Sequence, residues 1–197
     1  MLKVLRDHTS TNKIKLDNGF HRDLTWFVKF LHVFNGSSFF KKKKFHKYVD
    51  LDACLSGMGA VCGNEVYTIR TPPEYEGSNI ATLEMLNILV ALRVWKESWA
   101  KTSVRVACDN EAVVKVLNSG HTKCPQLGAI ARNISMSVSS RDINLHVIHI
   151  PGKQNQVADL LSRWQGSESD HNNLKKYKKD VTWVEVQSHQ VVVDHTI

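Results

Sequence analysis

SVRVACDNEAVVKVL, residues 103–117, is the stretch that decides the fold. Its first six residues are β-rich, an aspartate follows at Asp109, and a helical pattern begins at once. In an α/β sheet, ligands sit in the crevice beyond the carboxyl ends of the strands. A carboxylate at that place points into a cleft. Asp109 taken alone has a second explanation, as the cap of the helix that follows. The neighbouring segments bear on the choice, because three of them also deliver a carboxylate from an otherwise apolar setting.

Upstream, residues 78–99 read as one long helix. Its first half is apolar nearly all round, which predicts burial between layers. Between Asn79 and Leu92 the only charge is Glu84. An unpaired buried carboxylate costs several kcal/mol or takes up a proton, so a partner is expected, and a metal ion is one option. Further upstream, KYVDLDAC and SGMGAVCGNEVYTIR predict three antiparallel strands over about 47–53, 58–62 and 65–70, with a hairpin turn at Gly63-Asn64. Gly57 and Gly59 allow a bulge or the close approach of another element. Asp52 lies near the end of the first strand. It also reads as a turn residue.

Downstream, residues 126–140 read as a helix and INLHVIHI, 143–150, as a strand. Pro151-Gly152 turns the chain, and residues 155–164 form a last helix that carries Asp159. Asp159 also fits an exposed first-turn acid favoured by the helix dipole. Residues 165–174 read as a polar linker, followed by β-like runs over 181–186 and near Val191. Before the strands, DLTWFVKFLHVFNGSSFF (23–40) predicts a helix capped by Asp23 and stopped at Asn35-Gly36, then a basic run over 41–44. Residues 1–22 show no clear element. The resulting order, βββαβααβα, argues an α/β fold with a mixed five-stranded sheet flanked by helices.

Composition is consistent with this. The hydrophobic content of 42% and charged content of 23% are those of a globular chain. No apolar run approaches the length of a membrane span, and no signal-peptide pattern opens the sequence. Cys54, Cys62, Cys108 and Cys124 are scattered without a CxxC pair, which favours reduced thiols and an intracellular setting, cytoplasmic or nuclear. Residues 1–47 hold 11 Lys/Arg against 3 Asp/Glu, whereas residues 48–166 hold 11 of each. A basic flank beside a neutral core suits a polyanion such as nucleic acid, or is simply a solvated flank.

Asp52, Glu84, Asp109 and Asp159 are therefore the candidate site. Carboxylates suit hard cations such as magnesium and manganese, and a pair of such ions supports phosphodiester hydrolysis.

The same residues carry a family resemblance. DACLSGMGA (52–60), ATLEMLNILVAL (81–92), ACDNEAVV (107–114) and above all IPGKQNQVADLLSR (150–163) resemble the four motifs of the ribonuclease H domain of retrotransposon reverse transcriptases. The segment 23–40 is similar to the stretch before that domain in DIRS-type, tyrosine-recombinase elements; gypsy-type elements are the other match. The resemblance implies a ribonuclease H-like domain over 46–166. Before it would lie a basic extension over 1–45, a remnant of the reverse transcriptase, and after it a partly disordered tail over 167–197. It implies cleavage of the RNA strand of RNA–DNA hybrids with two Mg2+ ions (Mn2+ as a substitute), all four acids being catalytic metal ligands. It further implies nucleic-acid contacts at Asn110, Lys153 and Asn155, and the remainder of a polyprotein as partner. Many family members carry a histidine on the loop before the last acid. Here Lys153 stands near that place, while His146 and His149 fall on the strand, which implies slower turnover without loss of metal binding. No Y-x-D-D polymerase motif occurs. A non-catalytic nucleic-acid-binding remnant with the same fold is the alternative.

Overall fold

The structure, a computed structural model, describes residues 15–34, 44–164 and 166–195. At its centre lies a sheet of β1 (Lys47–Ala53), β2 (Gly57–Cys62), β3 (Glu65–Arg70), β4 (Ser103–Cys108), β5 (Asn144–His149) and β6 (Thr182–Trp183), in the order β5-β4-β1-β2-β3-β6. The first three strands run antiparallel to one another, and β4 and β5 lie parallel to β1. This is the expected mixed α/β sheet, extended by the two-residue β6, which pairs with β3.

Among the described residues, seven helices accompany the strands: α1 (Asn18–Val33), α2 (Ile80–Val94), α3 (Lys96–Trp99), α4 (Glu111–Ser119), α5 (Pro125–Ser139), α6 (Gln156–Ser162) and α7 (Glu168–Tyr177). The core forms where α2 lies on the inner face of the sheet. Residues 82–92 are all buried, and Val49, Leu51, Val104 and Val106 meet them from β1 and β4. A helix apolar all round is stable only when covered on every side, which is the position α2 occupies.

Four sequence readings are corrected. The expected long helix over 78–99 breaks at Trp95, which leaves helical geometry (φ −98°, ψ 18°) and stacks on Trp99 at 5.3 Å. The first helix starts at Asn18, not after Asp23, because the Asp17 carboxylate accepts the Phe20 N–H at 2.8 Å. Asp23 instead lies inside α1, 3.6 Å from Arg132. The expected linker over 165–174 is helix α7. Ser167 and Asp170 form a reciprocal capping box at its start, and Leu174 is buried on Val61, Val66 and Leu161. The expected run near Val191 is a 3-10 turn, Ser188–Gln190. Residues 1–14, the stop at Asn35-Gly36 and the basic run 41–43 lie outside the described residues.

Gly57 and Gly59 serve close approach. A Cβ on Gly59 would lie 2.7 Å from the Ser162 nitrogen, and one on Gly57 would lie 2.7 Å from the Ser162 carbonyl oxygen. The end of α6 therefore rests directly on β2. Thr68 on β3 fastens it, donating its hydroxyl to the Leu161 carbonyl at 2.8 Å.

Candidate active site

Asp52, on β1, is 6% exposed and Glu84, on α2, is 3% exposed. Asp109 follows β4 directly. One carboxylate oxygen from each of the three lies within 4.8 Å of the others. They line an open cleft of about 530 Å3 together with Cys54, Ser56, Asp159 and Arg163. Asp109 does not cap α4. Asn110 does, accepting the N–H groups of Ala112 and Val113 at 3.0 and 3.3 Å. The carboxylate of Asp109 is thereby left to the cleft.

Asp159 reaches the same cleft but is not one of the converging three. Its carboxylate accepts from Arg163 Nε at 2.8 Å, one helical turn on, and its side chain is half exposed.

The buried acids are strongly perturbed. Burial, reinforced by the charges of Asp109 and Asp159 and opposed by a Ser162 hydrogen bond, pushes Asp52 up to about 6. Burial raises Glu84 to about 7, with Asp109 and Asp52 adding to it, while hydrogen bonds from Cys108 and Asn110 work against it. The Cys108 thiol donates to Glu84 at 2.9 Å, and Asn110 Nδ2 lies 3.5 Å from the other oxygen. Burial, first, and Glu84 beside it hold the Cys108 thiol protonated. The converging donor set is therefore all carboxylate oxygen, which fits a hard divalent cation rather than zinc or copper.

Sequence reasoning missed the two residues that hold this arrangement. Asn87 is fully buried one turn after Glu84. Its Nδ2 donates to the carbonyls of Asp52 (2.8 Å) and Gly59 (2.9 Å), and its Oδ1 accepts from the Tyr67 hydroxyl at 2.6 Å. It pins α2 across β1 and β2 and so sets Glu84 beside Asp52. A lone amide in an apolar helix, three residues from the lone acid, was the available signal. Ser162 lies with its Oγ 2.5 Å from Asp52 Oδ2 and 2.9 Å from the Asp159 carbonyl oxygen. Its single hydrogen serves one acceptor at a time. When Asp52 is ionised the hydroxyl donates to it; when Asp52 is protonated the carboxyl itself donates, and Ser162 turns to Asp159.

The three residues expected to touch nucleic acid are placed differently. Asn110 is the cap just described. Asn155 is 1% exposed, and its Nδ2 donates to the Leu51 carbonyl at 2.8 Å, which tethers the chain before α6 to β1. Only Lys153 is exposed. It sits on the turn Gly152–Gln154, which passes against Asp109: a Cβ on Gly152 would lie 3.1 Å from Asp109 Oδ2. Of the strand histidines, His146 stacks on Phe45, while His149 donates from Nε2 to the Asp109 carbonyl at 3.2 Å.

The sequence matches the family described as "Reverse transcriptase-like" over residues 55–165, more than half of the chain. The chain belongs to the reverse transcriptase-like family. No curated protein matches it. Among solved structures it is similar to LC11-RNase H1, isolated from compost by a metagenomic approach, at 22% identity over 58% of this chain and 89% of that one, with a TM-score of 0.46. The same enzyme in complex with RNA/DNA hybrid is similar at 24% identity over 58% and 91%, TM-score 0.47. The foamy viral protease-reverse transcriptase in complex with RNA/DNA hybrid is similar at 18% identity, over 68% of this chain and 22% of that one, TM-score 0.47.

Proposed function

We propose that this chain is a metal-dependent endoribonuclease that cuts the RNA strand of RNA–DNA hybrids, as the ribonuclease H part of a retroelement reverse transcriptase. One observation carries the reading: three carboxylates from β1, α2 and the end of β4 meet within 4.8 Å on the wall of an open cleft. Asp52 and Glu84, buried together beside the Asp109 carboxylate, resist ionisation. That cost is what a bound cation removes. Membership of the reverse transcriptase-like family supports the substrate class.

Asp52, Glu84 and Asp109 would hold divalent cations, magnesium with manganese as a substitute, and two ions are the number proposed. Bound there, such ions supply charge stabilisation at the scissile phosphate and an activated water. The chain's own part is to place and tune the ligands. Asn87 and Ser162 orient Asp52 and Glu84, and Cys108 and Asn110 hold the Glu84 carboxylate by hydrogen bonds. Asp159 would be the fourth residue to hold the ions, and Arg163, paired with it here, would then offer its guanidinium to a phosphate. Lys153, exposed beside Asp109, adds positive charge on the path of the nucleic-acid backbone.

The alternative, a non-catalytic nucleic-acid-binding remnant, draws on the basic flank of residues 1–47 and on one feature of the site. Asp159 is ion-paired with Arg163 instead of turned to the other three acids.

Substrate choice separates the two. Given Mg2+, the folded protein is expected to cut a labelled RNA strand paired with DNA and to leave RNA–RNA and DNA–DNA duplexes intact. Hybrid binding without cutting would leave the remnant reading in its place.

A further inference from the structure

The outer face of the sheet, on the side of α6, is ordered in rows. Register sets Asp52 beside Gly59, Asp50 beside Ala107 and Val61, and Tyr48 beside Arg105, with His146 next to Arg105 on β5. The first row carries an acid of the cleft and is covered by α6. The second is partly covered by α7, whose Leu174 packs on Val61. The third row is open. Tyr48 is 56% exposed although it sits on the central strand. The Arg105 guanidinium lies over its ring at 5.6 Å, Phe45 meets it edge-on, and Phe45 in turn stacks on His146. Successive rows are two residues apart, so Tyr48 stands roughly 13 Å from Asp52 along the strand.

Beside this row the chain places positive charge. All four lysines of residues 167–197 fall within five positions, Lys175, Lys176, Lys178 and Lys179, around the exposed Tyr177. They lie at or just beyond the end of α7. Lys178 is close enough to Asp50 to act on its charge, as Arg105 does from the other side. Asp50 lies in the next row, and Asp180 follows the lysines in sequence. Aromatic faces next to flexible cations are the requirements of a surface that holds an unpaired strand: bases stack on rings and on the guanidinium plane, and phosphates meet the lysines.

We infer that the open row of Tyr48, Arg105, Phe45 and His146, together with the lysine cluster that ends α7, is a second binding surface for single-stranded nucleic acid, separate from the acidic cleft. The strand is held by stacking and by phosphate contacts, so RNA and DNA are held alike. This goes beyond the hydrolytic reading and does not depend on it.

Fluorescence anisotropy of the full chain with fluorescein-labelled (U)12 and (dT)12 in EDTA tests the surface. Tyr48→Ser is expected to weaken binding of both about tenfold, and Tyr48→Phe to leave it unchanged. Replacing the four lysines by glutamine is expected to weaken binding tenfold or more and to lower the slope of log affinity against log salt by about 3. Hybrid cleavage in these variants should stay within twofold of the wild type. Affinities unchanged in both Tyr48→Ser and the lysine variant would overturn the inference. Cleavage that falls in step with oligonucleotide binding would overturn it too, by making the surface part of the cleft. A dimer in light scattering that Tyr48→Ser dissociates would assign the face to a second copy of the chain instead. If the wild type binds as described but cuts no hybrid, the hydrolytic reading fails and this one stands.

Discussion

At the scale of single residues, the site is a balance between acids forced together and the groups that hold them there. Asn87 is one of those groups. Its loss leaves the Asp52 and Gly59 carbonyls and the Tyr67 hydroxyl without that partner in the core. The Tyr67 hydroxyl keeps only the Asn87 backbone carbonyl, at 3.2 Å, and each buried hydrogen bond lost costs about 1 kcal/mol. Asn87→Leu is therefore expected to lower stability by roughly 3 kcal/mol or more, read from urea denaturation, and an effect below about 1 kcal/mol would contradict this role.

The acids themselves make a pH prediction. Folding raises Asp52 to about 6 and Glu84 to about 7, above the ordinary carboxylate range of the unfolded chain. The folded state thus binds more protons than the unfolded one between about pH 4 and pH 7. This contribution to stability is fully present below about pH 4 and is lost as pH rises through those two values. A divalent cation takes the place of the protons. Mg2+ is expected to raise the melting temperature more at pH 8 than at pH 5, and an equal or reversed effect in thermal denaturation would count against a metal-binding triad.

Residue types at fixed spacing made the carboxylates legible in the sequence. Asp52, Glu84 and Asp109 each broke an apolar run, and the structure brings all three together. Asp159 was legible as a residue of the last helix but not in its pairing. A partner four residues away on the same helix competes with the distant cluster, and the sequence does not rank local against long-range partners. Asn155 was legible as a polar residue beside a turn, and only the tertiary structure shows its amide bonded to the Leu51 carbonyl of β1.

At the scale of elements, the approach of α6 to β2 decides where Ser162 and Asp159 stand. Nothing larger than glycine fits at Gly59, whose Cβ would meet the backbone of Leu161 and Ser162 at 2.5 and 2.7 Å. Both neighbours are backbone and cannot swing aside. Gly59→Ala is expected to cost about 1–3 kcal/mol and to weaken Mn2+ binding, measured by calorimetry, because α6 must back away with Ser162. Full retention of both stability and Mn2+ affinity would show that α6 does not position the site.

The strands and α4 were legible at this scale because alternation, turns and caps are local signals. α7 was not, although Ser167-Glu168-Ser169-Asp170 spells a capping box. A helix with one buried leucine lacks the periodic stripe that sequence reading relies on. Trp95, where the long helix breaks, was equally hidden: a tryptophan suits a helix, and its contact with Tyr67, 5.3 Å between ring centres, is tertiary.

At the scale of the whole molecule, the C-terminal segment belongs to the fold. Arg93 on α2 donates to the carbonyls of Gln190 and Val192, and Asn133 on α5 exchanges hydrogen bonds with the Asp194 backbone. Val193 is buried against the core. No helix among the described residues is long and apolar enough to cross a membrane. The division proposed for the chain is a catalytic unit over 46–166, a basic extension before it, and a C-terminal segment that braces α2 and α5 while offering its lysines to a nucleic acid.

The proposed function requires three carboxylates to act as one cation-dependent hydrolytic centre. Cleavage of the labelled RNA strand of a hybrid, followed against Mg2+ concentration in the wild type and in Asp109→Asn, tests it most directly. The expected result is cleavage that requires Mg2+, is abolished by EDTA and falls at least a hundredfold in Asp109→Asn, a loss of about 2.7 kcal/mol or more in transition-state stabilisation. Cleavage that persists in EDTA or in Asp109→Asn, or none at all in folded wild-type protein, would contradict it.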